Sequence, residues 1–219
     1  MRKTLLALAL SIPAFANANL IKDGSFESPK LANHTWGVFQ SAGDTWFTLA
    51  GAGIEIQRNV TGSAAAGNQF VELDSYNNSE MYQRVNTQKG QAYNLSFDFT
   101  ARPNTSAQTN GLQAFWINTL GKNASADSII KAANANSLIA DLHPTAVSAN
   151  TWQTFSQQVI GANYSFLVFK ATGNSDSLGT YLDNVKLNKV TAPVPEPETY
   201  ALMGIGLVGL FAARRRKAK

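Results

Sequence analysis

The sequence predicts an all-β protein, an antiparallel β-sandwich carried between two short addressing segments. Three observations lead there. Apolar and polar residues alternate in several short runs, most clearly in Tyr93-Asn94-Leu95-Ser96-Phe97-Asp98-Phe99, the period of a strand with one buried face. Gly, Asn, Asp and Ser punctuate these runs, as hairpin turns and loops require. The runs follow one another without helices of crossover length between them, which implies antiparallel pairing in a sandwich or barrel.

Taken in chain order, the strands are expected at Thr45–Ala50, Ile54–Ile56, Phe70–Leu73, Glu80–Val85 and Tyr93–Phe99, then at Leu112–Ile117, Thr151–Ile160, Tyr164–Ala171 and Gly179–Leu187. The period of two recurs in Ile54-Glu55-Ile56 and Phe70-Val71-Glu72-Leu73. One stretch, Ala126–Asn134, reads as a helix, short and rich in Asn. Residues 19–191 form the predicted sandwich, long enough for one domain with a solid core.

Of the 219 residues, 44% are hydrophobic and only 15% charged, below the ~25% of an ordinary soluble domain. The net charge of +4 is concentrated at the two ends. Residues 19–193 carry 11 Lys and Arg against 12 Asp and Glu, a net −1, so the body has no phosphate-binding footprint and nucleic acid is excluded as a partner. Cysteine is absent, which excludes disulfides, thiolate metal sites and a cysteine nucleophile.

Both ends read as addresses. Residues 1–18, MRKTLLALALSIPAFANA, place a basic start, an apolar centre and Ala16-Asn17-Ala18 in the order of a secretory signal, with signal peptidase expected to cut after Ala18. Residues 192–219 combine three parts. A Pro-rich stalk around Val194-Pro195-Glu196-Pro197 can join neither sheet nor helix. A charge-free run of 14 residues, Tyr200–Ala213, predicts a short transmembrane helix, below the ~20 residues that span a bilayer comfortably. Arg214, Arg215, Arg216 and Lys217 then hold the terminus on the cytoplasmic side.

Those three parts, at about residues 193–219, resemble the PEP-CTERM sorting signal. The resemblance implies an exosortase-like membrane enzyme as partner, with cleavage near Pro195-Glu196-Pro197 and Arg214, Arg215 and Arg216 fixing orientation. It also implies a route: export through the inner membrane, transient anchoring, then the cell envelope or the extracellular matrix.

A second resemblance attaches to the body. Asn19-Leu20-Ile21-Lys22-Asp23-Gly24-Ser25-Phe26-Glu27 is similar to the opening of galactose-binding-like jelly rolls, the fold of many carbohydrate-binding modules. Gly67–Asp74, Ser96–Phe99 with Ala101-Arg102-Pro103, and Tyr181-Leu182-Asp183-Asn184-Val185 resemble later signatures of that group, in order. The resemblance implies a structural calcium ion between an early and a late carboxylate, here Glu27 and Asp183. Hard oxygen ligands suit that ion. Asn184 stands where many relatives carry a second acid, which weakens the set.

Catalytic patterns are thin. His34 and His143 belong to no metal or nucleophile motif, and Asp141 with His143 reads as a solvated pair at a strand end. Glu72 and Asp74 flank Leu73 and are expected to hydrogen-bond loop backbone or Arg102 rather than to cleave glycosides. The chain is therefore read as non-enzymatic. Trp116 and Trp152 belong to strand runs, which leaves Trp36 and Trp46 as candidates to stack on sugar rings, with Tyr76 and Asn77 supplying hydrogen bonds. The expected role is binding or organising exopolysaccharide. A polysaccharide hydrolase or lyase and a matrix protein without ligand are the alternatives.

Overall fold

The computed structural model describes residues 18–145 and 151–191, together with 204–206 and 214. Among them the strands are β1 (Thr35–Phe39), β2 (Ser41–Ala42), β3 (Trp46–Ala50), β4 (Ile54–Arg58), β5 (Phe70–Glu72), β6 (Glu80–Asn86), β7 (Ala92–Thr100), β8 (Leu112–Ile117), β9 (Leu138–Leu142), β10 (Gln153–Ile160), β11 (Tyr164–Ala171) and β12 (Tyr181–Lys189). The 3-10 turn Ala107–Thr109 and helix α1 (Ala126–Ala132) complete the set. The helix starts on Ser125, whose side chain accepts from the Ser128 N–H.

The strands form two six-stranded sheets, ordered β1-β4-β5-β12-β7-β10 and β2-β3-β6-β11-β8-β9. Each strand pairing is antiparallel, as the missing crossover helices require. We call them the first and second sheets. The last of the described strands, β12, sits between β5 and β7, so residues 181–189 complete the first sheet.

The core lies between the sheets. Phe97 is fully buried, stacks on Phe155 at 4.9 Å and meets Phe169 of the second sheet edge-on at 5.0 Å. Trp46 bridges Phe169 and Phe26 at 5.9 and 5.5 Å, so the N-terminal segment joins the same cluster. Every second residue of β7 and β11 (Leu95, Phe97, Phe99; Leu167, Phe169, Ala171) points into this space. The opposite face of the second sheet has a smaller apolar cluster, in which Ile129 of α1 covers Leu49, Phe115, Ile117, Phe166 and Val168.

Three strands were not expected from sequence: β1, β2 and β9. All three lie at or next to a sheet edge. Strands β1 and β9 are only partly buried, so they lack the two-residue apolar period that marks a strand with one face in the core. The predicted signal segment and most of the predicted C-terminal signal lie outside the described residues, although Gly204–Gly206 is helical. No helix among the described residues is long and apolar enough to cross a membrane.

Truncating Phe97 removes a ring that touches both sheets. Phe97→Ala is expected to destabilise the protein by ~3–5 kcal/mol in urea unfolding, with Phe99→Ala close behind. Losses under ~1 kcal/mol for both would show that this face of β7 carries little of the core.

Candidate functional site

Burying Trp46, Met81, Val85, Leu167 and Phe169 inward leaves the alternate residues of β3, β6 and β11 outward. Phe47, Tyr82 and Phe166 therefore line up across three neighbouring strands. Their ring centroids are 5.8 and 6.4 Å apart, each pair tilted by 38°. They form the floor of a groove of about 610 Å³. One wall is Leu20 and Lys22, with the turn at Asp44 and Thr45; the other is Lys122, Asn123 and Ala124, before α1.

Local bonds hold both walls. The Gln83 side chain accepts from the Lys22 N–H at 2.8 Å and donates to the Lys22 carbonyl at 2.9 Å. On the far side Arg84 donates to the Lys122 carbonyl at 2.8 Å. Phe47 stays 40% exposed, so one ring edge of the floor faces solvent while Phe166 is sunk beneath it. Chemically this is an aromatic strip between amide and cationic side chains, suited to stacking on a ring and hydrogen-bonding its substituents.

The residues singled out from sequence lie elsewhere. Trp46 is fully buried, and its indole N–H donates to the Asp23 carbonyl at 3.1 Å, so it is core and not a stacking platform. The correction has a simple cause. Trp46 and Phe47 are adjacent apolar residues of opposite parity, and only the packing of the second sheet decides which one turns inward. Trp36 and Tyr76 are exposed at 46% and 66% and meet edge-on at 6.1 Å, on the outer side of the first sheet. Asn77 spends its side-chain carbonyl on the Ala52 N–H at 2.9 Å. His143 lies 3.2 Å from Asp141, both well exposed, as a solvated pair.

Glu27 and Asp183 converge on one loop. Glu27 accepts from the Asn68 and Gln69 N–H groups at 2.6 and 2.9 Å, and Asp183 from Ala65 and Ala66 at 2.8 Å each. Gly67 lies between them at φ +71°, where a Cβ would come within 2.3 Å of the Glu27 carboxylate. The two acids thus clamp the loop from both ends. As arranged they accept from amides, and among the described residues no three His, Asp or Glu side chains assemble around a point that would hold a metal. Burial pushes the Asp183 carboxyl up to about 7 despite its amide donors. Of the sorting residues only Arg214 is described; Pro195, Glu196, Pro197, Arg215 and Arg216 lie outside.

A buried polar cluster occupies the outer side of the first sheet. Glu55 stands opposite Glu72, and Glu72 opposite Tyr181. Glu72 pairs with Arg102, accepts from Gln57, and takes the Gly179 N–H at 2.7 Å; Gln57 also donates to Glu55 at 2.9 Å. With two carboxylates and one guanidinium, the second negative charge has no counterion. Burial therefore pushes Glu72 up to about 8, Arg102 opposing and Glu55 adding to the rise. Glu55 is also raised, again chiefly by burial. Both carboxyls are buried.

Comparison with known proteins gives one motif and a set of folds. Residues 193–217 match the PEP-CTERM protein-sorting motif. The chain is 29% identical over 171 residues to the multifunctional-autoprocessing repeats-in-toxin of Vibrio cholerae serotype O1, and 27% over 168 residues to that of Vibrio vulnificus. The alignment takes in 76% and 74% of this chain but only 3% of each toxin. Among solved structures, a family 16 carbohydrate-binding module aligns with a TM-score of 0.48 at 16% identity, covering 77% of this chain and 99% of that one. The CBM22-1 xylan-binding domain of Paenibacillus barcinonensis aligns at 0.44 and 11%, over 74% and 100%.

The raised carboxyl of Glu72 predicts a pH dependence. Because its folded value lies above the ordinary 4.5, its contribution is complete below pH 4.5 and is lost as pH rises through about 8. Urea midpoints should fall between pH 5 and pH 9, and Glu72→Gln, though less stable at pH 5, should flatten that slope. An unchanged slope in the variant would assign the titration elsewhere.

Proposed function

We propose that this chain is an exported, non-catalytic polysaccharide-binding protein, sorted by its C-terminal motif and engaging glycan through the groove on the second sheet. The observation that carries the reading is the strip Phe47–Tyr82–Phe166, with Phe47 paired to Tyr82 and Phe166 diagonal to it on the next strand, between walls of amide and cationic side chains. Sugar rings present apolar C–H faces to such a strip, and a sheet keeps it in place without an entropic cost on binding. The buried, paired state of Glu72 argues against glycoside cleavage at the carboxylates first considered.

Two variants test the placement. On an array of bacterial exopolysaccharides, Phe47→Ala should weaken binding at least about tenfold, as truncating a central aromatic contact does. Trp36→Ala should leave binding intact. The reverse result would move the site to the exposed Trp36–Tyr76 pair. Release of reducing sugar by the wild type would replace the binding reading with a hydrolase.

The sorting motif supports processing by signal peptidase and an exosortase-like enzyme, then residence in the envelope or matrix. The mature protein should begin at Asn19 and end near Pro195-Glu196-Pro197. Intact-mass spectrometry of the native protein checks this, and retention of Arg214 and all that follows would leave the segment a plain anchor.

Calcium at the 65–69 loop is a second proposal, favoured by the convergence of Glu27 and Asp183. After their amide bonds both carboxylates keep lone pairs, and hard oxygen donors suit the ion. Added calcium should then raise the melting temperature of the wild type but not of Glu27→Gln, whereas equal shifts in both would discard the site.

A further inference from the structure

The groove carries more positive charge than stacking on a neutral sugar requires. Lys22 lines one wall, Lys122 the other, and Arg84 the floor between them, with Asp44 the single acid among the lining residues. Residues 19–193 are net −1, so this local excess is a concentration of cations on an otherwise slightly acidic body. Nor are the three placed by chance contact. Lys22 is tied to Gln83 through its backbone, and Arg84 binds the Lys122 carbonyl, so floor and far wall are braced together. None of the three has a carboxylate within ion-pair distance among the described residues.

We propose that the groove selects acidic polysaccharides, chains with a carboxylate on the sugar ring, over neutral ones of the same backbone. This rests on the groove being the glycan site. A uronate ring laid on Phe47 and Tyr82 has its apolar face on the strip and its carboxylate at the rim, where Lys22 and Lys122 stand on either side. Arg84 offers the planar fork that matches a carboxylate. A polyphosphate such as single-stranded DNA also combines charge with stacking, but the net-negative body and Asp44 disfavour a ligand of such charge density. Because the three cations are solvent-exposed, each pairing is modest and screened by salt. The selectivity is therefore expected to be about five- to tenfold at low ionic strength and to fade at high salt.

The test pairs each acidic polymer with its neutralised form: polygalacturonate with its methyl ester, and alginate with its carboxyl-reduced product. The full chain in mild detergent is measured by calorimetry at about 20 mM and at 0.5 M NaCl. Tighter binding of the acidic member, lost at high salt and reduced to the level of the neutral member in a Lys22→Gln/Lys122→Gln double variant, which keeps the backbone bonds of both walls to Gln83 and Arg84, is the expected result. Equal affinity for both members at low salt overturns the charge selectivity and leaves the groove reading intact. Binding of either member that Phe47→Ala does not weaken overturns the groove reading instead. Stronger binding of a single-stranded oligonucleotide than of any uronate polymer overturns the choice of ligand. Folding of the variants is read independently from their urea midpoints.

Discussion

Phe97 and Phe169 meet edge to face at 5.0 Å across the gap between the sheets, and the outer surface of this protein follows from that contact. A strand has only two faces. Once Phe169, Leu167 and Trp46 turn inward to meet Phe97 and its neighbours, Phe166 and Phe47 have no choice but to face out. The aromatic strip is thus the reverse side of the core. A one-residue slip of β3 would bury Phe47 and push Trp46 into solvent, exchanging core and groove together.

The same packing would be insecure without a device to join the first and last described segments of the sandwich, because cysteine is absent. Polar stitches take that role. Asn19 accepts from the Leu187 and Ile21 N–H groups at 2.8 and 3.0 Å and donates to the Val185 carbonyl at 3.2 Å. Gly24 lets the segment approach β12 so closely that a Cβ there would lie 2.1 Å from the Val185 oxygen. Glu27, Gln69 and Asp183 then fasten the 65–69 loop to both the first segment and the last strand. The bonds of Asn19 to Leu187 and Val185, and of Asp183 to Ala65, join residues more than a hundred positions apart, and Gln83 holds Lys22 at the lip of the groove.

The two sheets treat charge in opposite ways. On the first, Glu55, Glu72 and Arg102 form a buried network in which burial raises both carboxyls and favours their protonated forms. On the second, Lys22, Arg84 and Lys122 stay in solvent around an aromatic floor, where their charge costs little and remains available to a ligand.

Read by itself, the sequence determined the architecture and the C-terminal address. The alternation through Tyr93–Phe99 and the turn residues between runs are local signals, and nine expected strands coincide with β3 to β8 and β10 to β12 within a few residues. The stalk, apolar run and arginine cluster are linear features that need no fold to be read, and residues 193–217 match the motif they spell. Glu27 and Asp183 were named together only by the resemblance, as calcium ligands; in the fold each accepts from backbone amides of the 65–69 loop. The groove was not. Trp46-Phe47 and Phe166-Leu167 are apolar at consecutive positions, so parity is degenerate until the opposing sheet chooses a face. The walls come from residues near 20, 44 and 122, which only β-pairing brings together. Edge strands escaped for a related reason: with little of either face in the core, their composition has no period to show. Tertiary packing decided which aromatic is core and which is surface, because that choice is made by contacts between strands and not within them.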